Sequence, residues 1–185
     1  MNRFAPLSVS LALALAACGS GAQNDQAGEA NVDTAPAAVP AVAPREAALN
    51  DGSGQSVGKV TLSEDPTGTT VKVEATKLKA GEHGLHLHET GSCTGPDFKS
   101  AGGHLNPTGK AHGRDNPKGS HLGDLANLSV GADGSATTQF LLAGTTIAQL
   151  VDADGVALVV HADPDDYKTD PSGNSGDRVA CATFN

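Results

Sequence analysis

Short segments in which apolar and polar residues alternate recur along this chain, and no other feature restricts its fold as strongly. Residues 71–75, which read VKVEA, alternate most cleanly, as expected for an antiparallel strand that buries one face. Turn-forming pairs such as Asp51-Gly52 and Asp133-Gly134 separate several segments. No stretch of useful length follows a helical period. We therefore predict an all-β sandwich or barrel whose eight strands lie near residues 46–50, 57–63, 70–78, 84–89, 125–130, 135–142, 157–161 and 179–184.

Two longer segments interrupt the pattern of strands. Residues 90–120 are rich in Gly, Pro, Asn and Lys and contain His104 and His112, while residues 163–177 are polar and acidic. Irregular loops of this length inside a compact domain are usually functional. We therefore predict two long functional loops, and we expect a bound metal to order the first.

The amino terminus has the features of an export signal. Residues 1–17 contain one early charge, Arg3, and then an apolar run too short to span a bilayer, so we predict a signal peptide. The run ends in Leu-Ala-Ala-Cys18, which resembles a bacterial lipobox and implies lipidation of Cys18; an ordinary secretory signal with a chance cysteine is the alternative. By the same resemblance, the following Gly19 implies anchoring to the outer membrane. Residues 18–44 lack core-forming residues and are predicted to be a disordered tether, which leaves one domain at residues 45–185.

Charge and cysteine content support an exported protein that does not bind nucleic acid. The formal net charge of −9 argues against a nucleic-acid partner. If Cys18 carries lipid, Cys93 and Cys181 remain, and two cysteines outside the cytosol are expected to form a disulfide. Two independent buried thiols are the alternative.

Six histidines and one aspartate are spaced as two metal sites that share a residue. His86 and His88 are two residues apart on a predicted strand, so both rings lie on one face. Together with His104 and His161 they supply four nitrogens, a set that suits Cu²⁺ in tetragonal geometry. A second set, three imidazoles and a carboxylate, suits a closed four-coordinate Zn²⁺ site and consists of His104, His112, His121 and Asp124. His104 can serve both metals because imidazole has two nitrogens.

This ordered pattern resembles copper/zinc superoxide dismutase over roughly residues 46–185. The motifs that carry the resemblance are His86-Leu-His88-Glu89, Ser100-Ala-Gly-Gly-His104-Leu-Asn-Pro107, His112-Gly113, His121-Leu-Gly-Asp124-Leu, Leu158-Val-Val-His161-Ala and Gly173-Asn-Ser-Gly-Asp-Arg178-Val-Ala-Cys181. The resemblance implies an eight-stranded Greek-key β-barrel or sandwich. It also implies the two metal sites just described and a disulfide between Cys93 and Cys181.

The resemblance further implies that the protein converts superoxide to dioxygen and hydrogen peroxide at the cell envelope, by alternating reduction and oxidation of copper. Arg178 would then dock the anionic substrate, and His104 would move a proton. Asp165 would bridge a copper ligand and a zinc ligand, with Asp163 and Asp166 as neighbouring alternatives. The family contains both monomers and homodimers, and the sequence does not distinguish them.

Two other functions fit parts of the same pattern. A copper carrier or metal-storage lipoprotein would be expected to lack a copper ligand or Arg178, and neither is missing. A zinc hydrolase needs an open position on the metal and a nearby general base, which a fully ligated zinc set opposes.

The second loop departs from the charge expected of a superoxide-binding protein. Its only lysine is Lys168, whereas it contains five aspartates. Acidic charge at the mouth of the site is expected to repel an anionic substrate. Compensation would have to come from lysines of the first loop, for which the candidates are Lys99, Lys110 and Lys118.

Overall fold

The computed structural model describes residues 42–185. Within them lie nine strands, a single α-helical turn and a short 3-10 turn at Lys99–Ala101. The strands are β1 (Arg45–Asp51), β2 (Ser56–Asp65), β3 (Gly68–Ala75), β4 (Gly81–His83), β5 (Leu85–His88), β6 (Leu128–Val130), β7 (Ala136–Ala143), β8 (Val156–His161) and β9 (Arg178–Phe184), and the helical turn is α1 (Ile147–Leu150).

Seven of these strands form one antiparallel sheet in the order β5-β8-β9-β1-β2-β3-β7, and β4 pairs with β6. Consecutive hairpins join β1, β2 and β3, while β9 returns to lie beside β1, which is the Greek-key order. One buried cluster takes side chains from both edges of the sheet, including Leu85 and Leu87 of β5 and Ala136 of β7. The sheet is therefore curled around its core, and the predicted all-β Greek-key fold is confirmed.

Each predicted segment contains a strand, but the sequence interpretation missed β4. The chain changes partner at Gly84, because β4 pairs with β6 whereas β5 pairs with β8. A side chain at position 84 would place its Cβ 2.6 Å from the Cβ of Ser175, so the crossing requires glycine. With three residues, β4 is too short to show a period. The segments predicted at 70–78 and 125–130 also prove shorter, ending at Ala75 and beginning at Leu128.

The two predicted loops lie where expected, after β5 and after β8. The first loop covers the outer face of the sheet, where a second buried cluster packs loop residues Phe98 and Ala101 against Val159 of β8 and Cys181 of β9. Strand β5 therefore buries both faces, with its leucines in the main core and its histidines beneath the loops.

Predictions for the export signal, Cys18 and most of the tether fall outside the described residues. Within residues 42–185 there is no helix whose length and apolar content would let it cross a membrane.

Candidate metal centre

Four buried histidines place one ring nitrogen each around a common point. They come from β5, β8 and the first loop, and one ligand atom from each lies within 4.8 Å of the others. Each ring has one buried nitrogen without a hydrogen-bond partner among the described residues. Leaving a buried polar atom unpaired costs about 1–3 kcal/mol, so four together indicate a missing partner that all of them share. We call this group the first ligand set: His86 Nδ1, His88 Nε2, His104 Nε2 and His161 Nε2.

The other nitrogen of each ring in the first ligand set is fixed by the protein. His88 Nδ1 donates to the Gly102 carbonyl at 3.0 Å, and His161 Nδ1 donates to the Gly176 carbonyl at 3.2 Å. His86 Nε2 lies 2.9 Å from a carboxylate oxygen of Asp165. Such contacts hold the tautomer and the orientation of a ligand ring, and they leave the unpaired nitrogens free to bind a metal.

A second group of donors surrounds one oxygen of Asp124. The Nδ1 atoms of His104, His112 and His121 lie 3.0, 3.0 and 3.1 Å from Asp124 Oδ1. The other carboxylate oxygen accepts the backbone N–H groups of Gly113 and His121, which fixes its direction. We call these four residues the second ligand set.

His104 belongs to both sets and lies between them. Its Nδ1 faces Asp124, while its Nε2 belongs to the first ligand set. The ring stacks on His86 with a centroid distance of 3.9 Å. A ligand atom of His86 also lies within 4.8 Å of Asp124, but Asp165 occupies His86 Nε2 whereas His121 Nδ1 contacts Asp124 directly. We therefore assign His121 to the second set.

A buried carboxylate connects one ring of the first ligand set to one ring of the second. Asp165 contacts His86 Nε2 at 2.9 Å and His112 Nε2 at 3.0 Å through different oxygens, and it accepts the Tyr167 N–H at 2.7 Å. The side chain of Asn127 holds its backbone on both sides, at 2.9 and 3.1 Å. Of the three neighbouring aspartates that the sequence offered, the structure places Asp165 in the bridging position.

Burial lowers the pKa of three histidine rings, whereas neighbouring carboxylates raise the pKa of a fourth. Burial lowers the pKa of His88 to about 2, that of His161 to about 3 and that of His104 to about 4, so these rings are neutral, as metal ligands must be. For His112, burial is outweighed by hydrogen bonds to Asp124 and Asp165, which raise its pKa to about 9. Burial also opposes ionisation of both aspartates, but their histidine partners outweigh it and lower both pKa values.

An open cleft of about 590 Å³ leads from solvent to the shared histidine. Arg178 borders it, and its guanidinium donates to the carbonyls of Phe98 and Gly102, both at 2.7 Å. The disulfide between Cys93 and Cys181, with a Cα–Cα distance of 5.8 Å, ties the loop that carries these carbonyls to β9. The cleft is also lined by His104, His161, Glu89, Lys110 and Asp170.

Sequence reasoning named the side chains that the two ligand sets bring together, and it missed the groups that orient them. Gly102 and Gly176 contribute backbone carbonyls, which every residue type has, so the sequence does not indicate this role. Asn127, which brackets Asp165, lies 38 residues away from it in sequence. Only the pairing of distant segments brings such a residue to the site.

The fold and the site together define a metalloprotein built on a curled antiparallel β-sheet, with two adjoining ligand sets and a cleft bordered by an arginine. The family model described as copper/zinc superoxide dismutase (SODC) matches residues 56–184. The chain therefore belongs to the copper/zinc superoxide dismutase family, and copper and zinc are the metals that this family implies.

Relatives from several bacteria support this assignment. The chain is 43% identical over 138 residues to the superoxide dismutase-like protein YojM of Bacillus subtilis, covering 71% of this chain and 70% of that protein. It is 42% identical over 145 residues to a Cu-Zn superoxide dismutase of Caulobacter vibrioides, covering 75% and 83%. A crystal structure of a superoxide dismutase-like protein from Bacillus subtilis matches with a TM-score of 0.73 at 39% identity, covering 76% of this chain and 97% of that one.

Proposed function

We propose that this protein is a superoxide dismutase of the cell envelope, with copper on the first ligand set and zinc on the second. The observation that carries the proposal is the convergence of four buried, unpartnered ring nitrogens beside an open cleft that contains an arginine. A buried set of imidazole nitrogens is typical of copper sites, and three imidazoles with a carboxylate are typical of closed zinc sites.

The donor chemistry of both sets fits these metals. The first set offers neutral imidazoles whose second nitrogens are already bonded, so binding needs no rearrangement of tautomers. The second set offers four donors, which fills a tetrahedral site and leaves no open position. When bound, copper supplies one-electron oxidation and reduction of superoxide, and zinc supplies a fixed positive charge.

Arg178 and His104 perform the remaining tasks in the cleft. Two backbone carbonyls hold the guanidinium of Arg178, and a planar cation held in this way can dock a small anion. His104 lines the same cleft, with Nδ1 fixed on the Asp124 side. Its Nε2 is therefore the atom that takes up a proton and returns it to the reduced product.

The charge around the cleft is more balanced than the acidic second loop suggests. Lys110 and Arg178 line the cleft together with Glu89 and Asp170. Several aspartates of the loop are engaged internally, since Asp170 accepts the His112 N–H at 2.6 Å and Asp166 accepts hydrogen bonds from Thr169 and Asn174. We propose that Lys110 of the first loop supplies the attraction that the second loop lacks.

The alternative functions explain fewer of these observations. A copper carrier does not require an arginine held beside the cleft. A hydrolytic zinc site requires an open position, whereas the carboxylate and all three rings of the second ligand set converge.

The proposed envelope location rests on the amino-terminal sequence. Residues 1–17 read as a signal peptide, and lipidated Cys18 with the tether at 18–44 would anchor the domain, preferentially to the outer membrane. Metabolic labelling with a palmitate analogue tests the anchor, and a Cys18→Ala protein that retains the label contradicts it.

Loading the purified protein with copper and zinc and measuring superoxide loss tests the activity. We expect Arg178→Ala to lower the rate by about 10- to 100-fold, the effect of losing one charged contact. Arg45→Ala is the matched control, because Arg45 lies in a separate cavity near Asn185. A loaded wild-type protein without activity refutes the proposal.

A further inference from the structure

A single peptide group between Gly102 and Gly103 contacts three functional side chains at once. Its carbonyl oxygen accepts from Arg178 Nη2 at 2.7 Å and from His88 Nδ1 at 3.0 Å. Its N–H donates to a carboxylate oxygen of Glu89 at 3.0 Å. One peptide plane therefore joins the docking arginine, a ring of the first ligand set and an acidic side chain that lines the same cleft.

The local sequence gives this peptide little stiffness of its own. Glycine lies on both sides of it, and Gly102 adopts a positive φ of 75° at the end of the 3-10 turn. Glycine has the widest backbone freedom of any residue, so contacts from outside must set the plane. A Cβ at Gly102 would come within 2.8 Å of a Glu89 carboxylate oxygen, which shows how closely the carboxylate packs against this peptide.

We propose that Glu89 is a positioning residue that acts through the Gly102–Gly103 peptide to aim Arg178 and His88. The carboxylate fixes the N–H side of the plane and thereby directs the carbonyl toward both donors. Hydrogen bonds in series polarise one another, so an anionic acceptor on the N–H also strengthens the bonds to the carbonyl. This inference rests on the proposed function only in taking Arg178 as the anion-docking group.

Charge alone and positioning predict opposite changes in anion affinity when Glu89 is removed, which makes the proposal easy to test. Glu89 is a negative charge in a cleft for an anion, so its removal should strengthen anion binding if the carboxylate acts through space alone. If it acts by positioning Arg178, its removal should weaken anion binding.

The experiment measures azide affinity of the copper- and zinc-loaded protein by absorption titration, alongside hydrogen exchange of the Gly103 amide. We expect Glu89→Ala to bind azide about tenfold more weakly and to exchange Gly103 at least about tenfold faster, the size of one charge-assisted hydrogen bond. Glu89→Gln keeps an acceptor oxygen and should recover most of both losses. Asp177→Asn is the matched control, because this exposed carboxylate precedes Arg178 and makes no contact with the 102–103 peptide.

Combining Glu89→Ala with Arg178→Ala separates positioning from general loosening. If Glu89 acts through Arg178, its substitution has no further effect on azide affinity once Arg178 is gone. Unchanged or tighter azide binding by Glu89→Ala, or fully additive effects in the double variant, overturns the proposal. A wild-type protein that binds azide but does not remove superoxide would refute the proposed function and leave this inference standing.

Discussion

Removing the disulfide should cost the domain several kcal/mol of stability. Cys93 and Cys181 are 88 residues apart, so their bond closes a loop that spans more than half of the domain. The chain-entropy relation gives about 4.6 kcal/mol at 25 °C for a loop of this length. For a domain of this size, such a loss corresponds to a decrease in Tm of roughly 10–18 °C. We expect Cys93→Ser to approach these values, because the serine replaces a half-buried side chain and leaves Cys181 in place.

Urea unfolding of the chelator-treated protein measures this free energy without a contribution from metal binding. Wild-type protein treated with a reductant should match Cys93→Ser, while the neighbouring substitution Ser92→Ala should be close to neutral. A loss below about 1 kcal/mol would show that loop closure in the unfolded chain is not what the bond contributes. The loaded variant should also lose activity, because the bond braces the loop whose carbonyls hold Arg178.

Three further predictions concern the metal centre. Asp165→Asn should weaken metal binding by about 10- to 100-fold, because an amide cannot accept hydrogen bonds from both rings that the carboxylate joins. Competition with a chelating dye measures the affinity, and an unchanged value contradicts this prediction. In metal-free protein, the pKa values of about 2, 3 and 4 in the first ligand set mean that the unfolded chain binds more protons below pH 6.5. Stability should therefore fall as the pH decreases from 6.5 toward 4, by up to about 4 kcal/mol per unit. The stability of the metal-free protein should also fall as the pH rises through about 9, because folded His112 loses its proton there. A stability curve that is flat from pH 4.5 to 9.5 refutes both effects. Lys110→Ala should lower the superoxide rate and flatten its decrease with ionic strength, and a rate that rises with salt in the wild type would show net repulsion instead.

The sequence predicted those parts of the fold and site that depend on residue type and local period. Alternation along β2 and β3 located those strands, and the spacing of His86 and His88 placed both rings on one face because strand geometry leaves no other choice. Strand β4 was missed, since a three-residue strand has no measurable period and its pairing with β6 depends on a bend at Gly84.

The groups that orient the ligands could not be predicted for a different physical reason. One of three neighbouring aspartates can bridge the two ligand sets, depending on which side chain the loop turns inward: Asp163, Asp165 or Asp166. Asn127 and Gly173 fix the conformation that turns Asp165 inward. The side chain of Asn127 brackets the Asp165 backbone, and any side chain at Gly173 would overlap the Asp165 carboxylate. Both constraints are tertiary, and neither has a local signature.

The order of the ligand-bearing strands along the chain has a consequence for biosynthesis. The ligands enter from His86 on β5 through His161 on β8, and the docking arginine begins β9, the last strand. A chain that emerges amino terminus first, from the ribosome or across a membrane, cannot close the first ligand set until β8 has paired with β5. Metal retention would then report that the chain is complete through β8, because a product that ends before residue 161 lacks one of the four donors of the first ligand set.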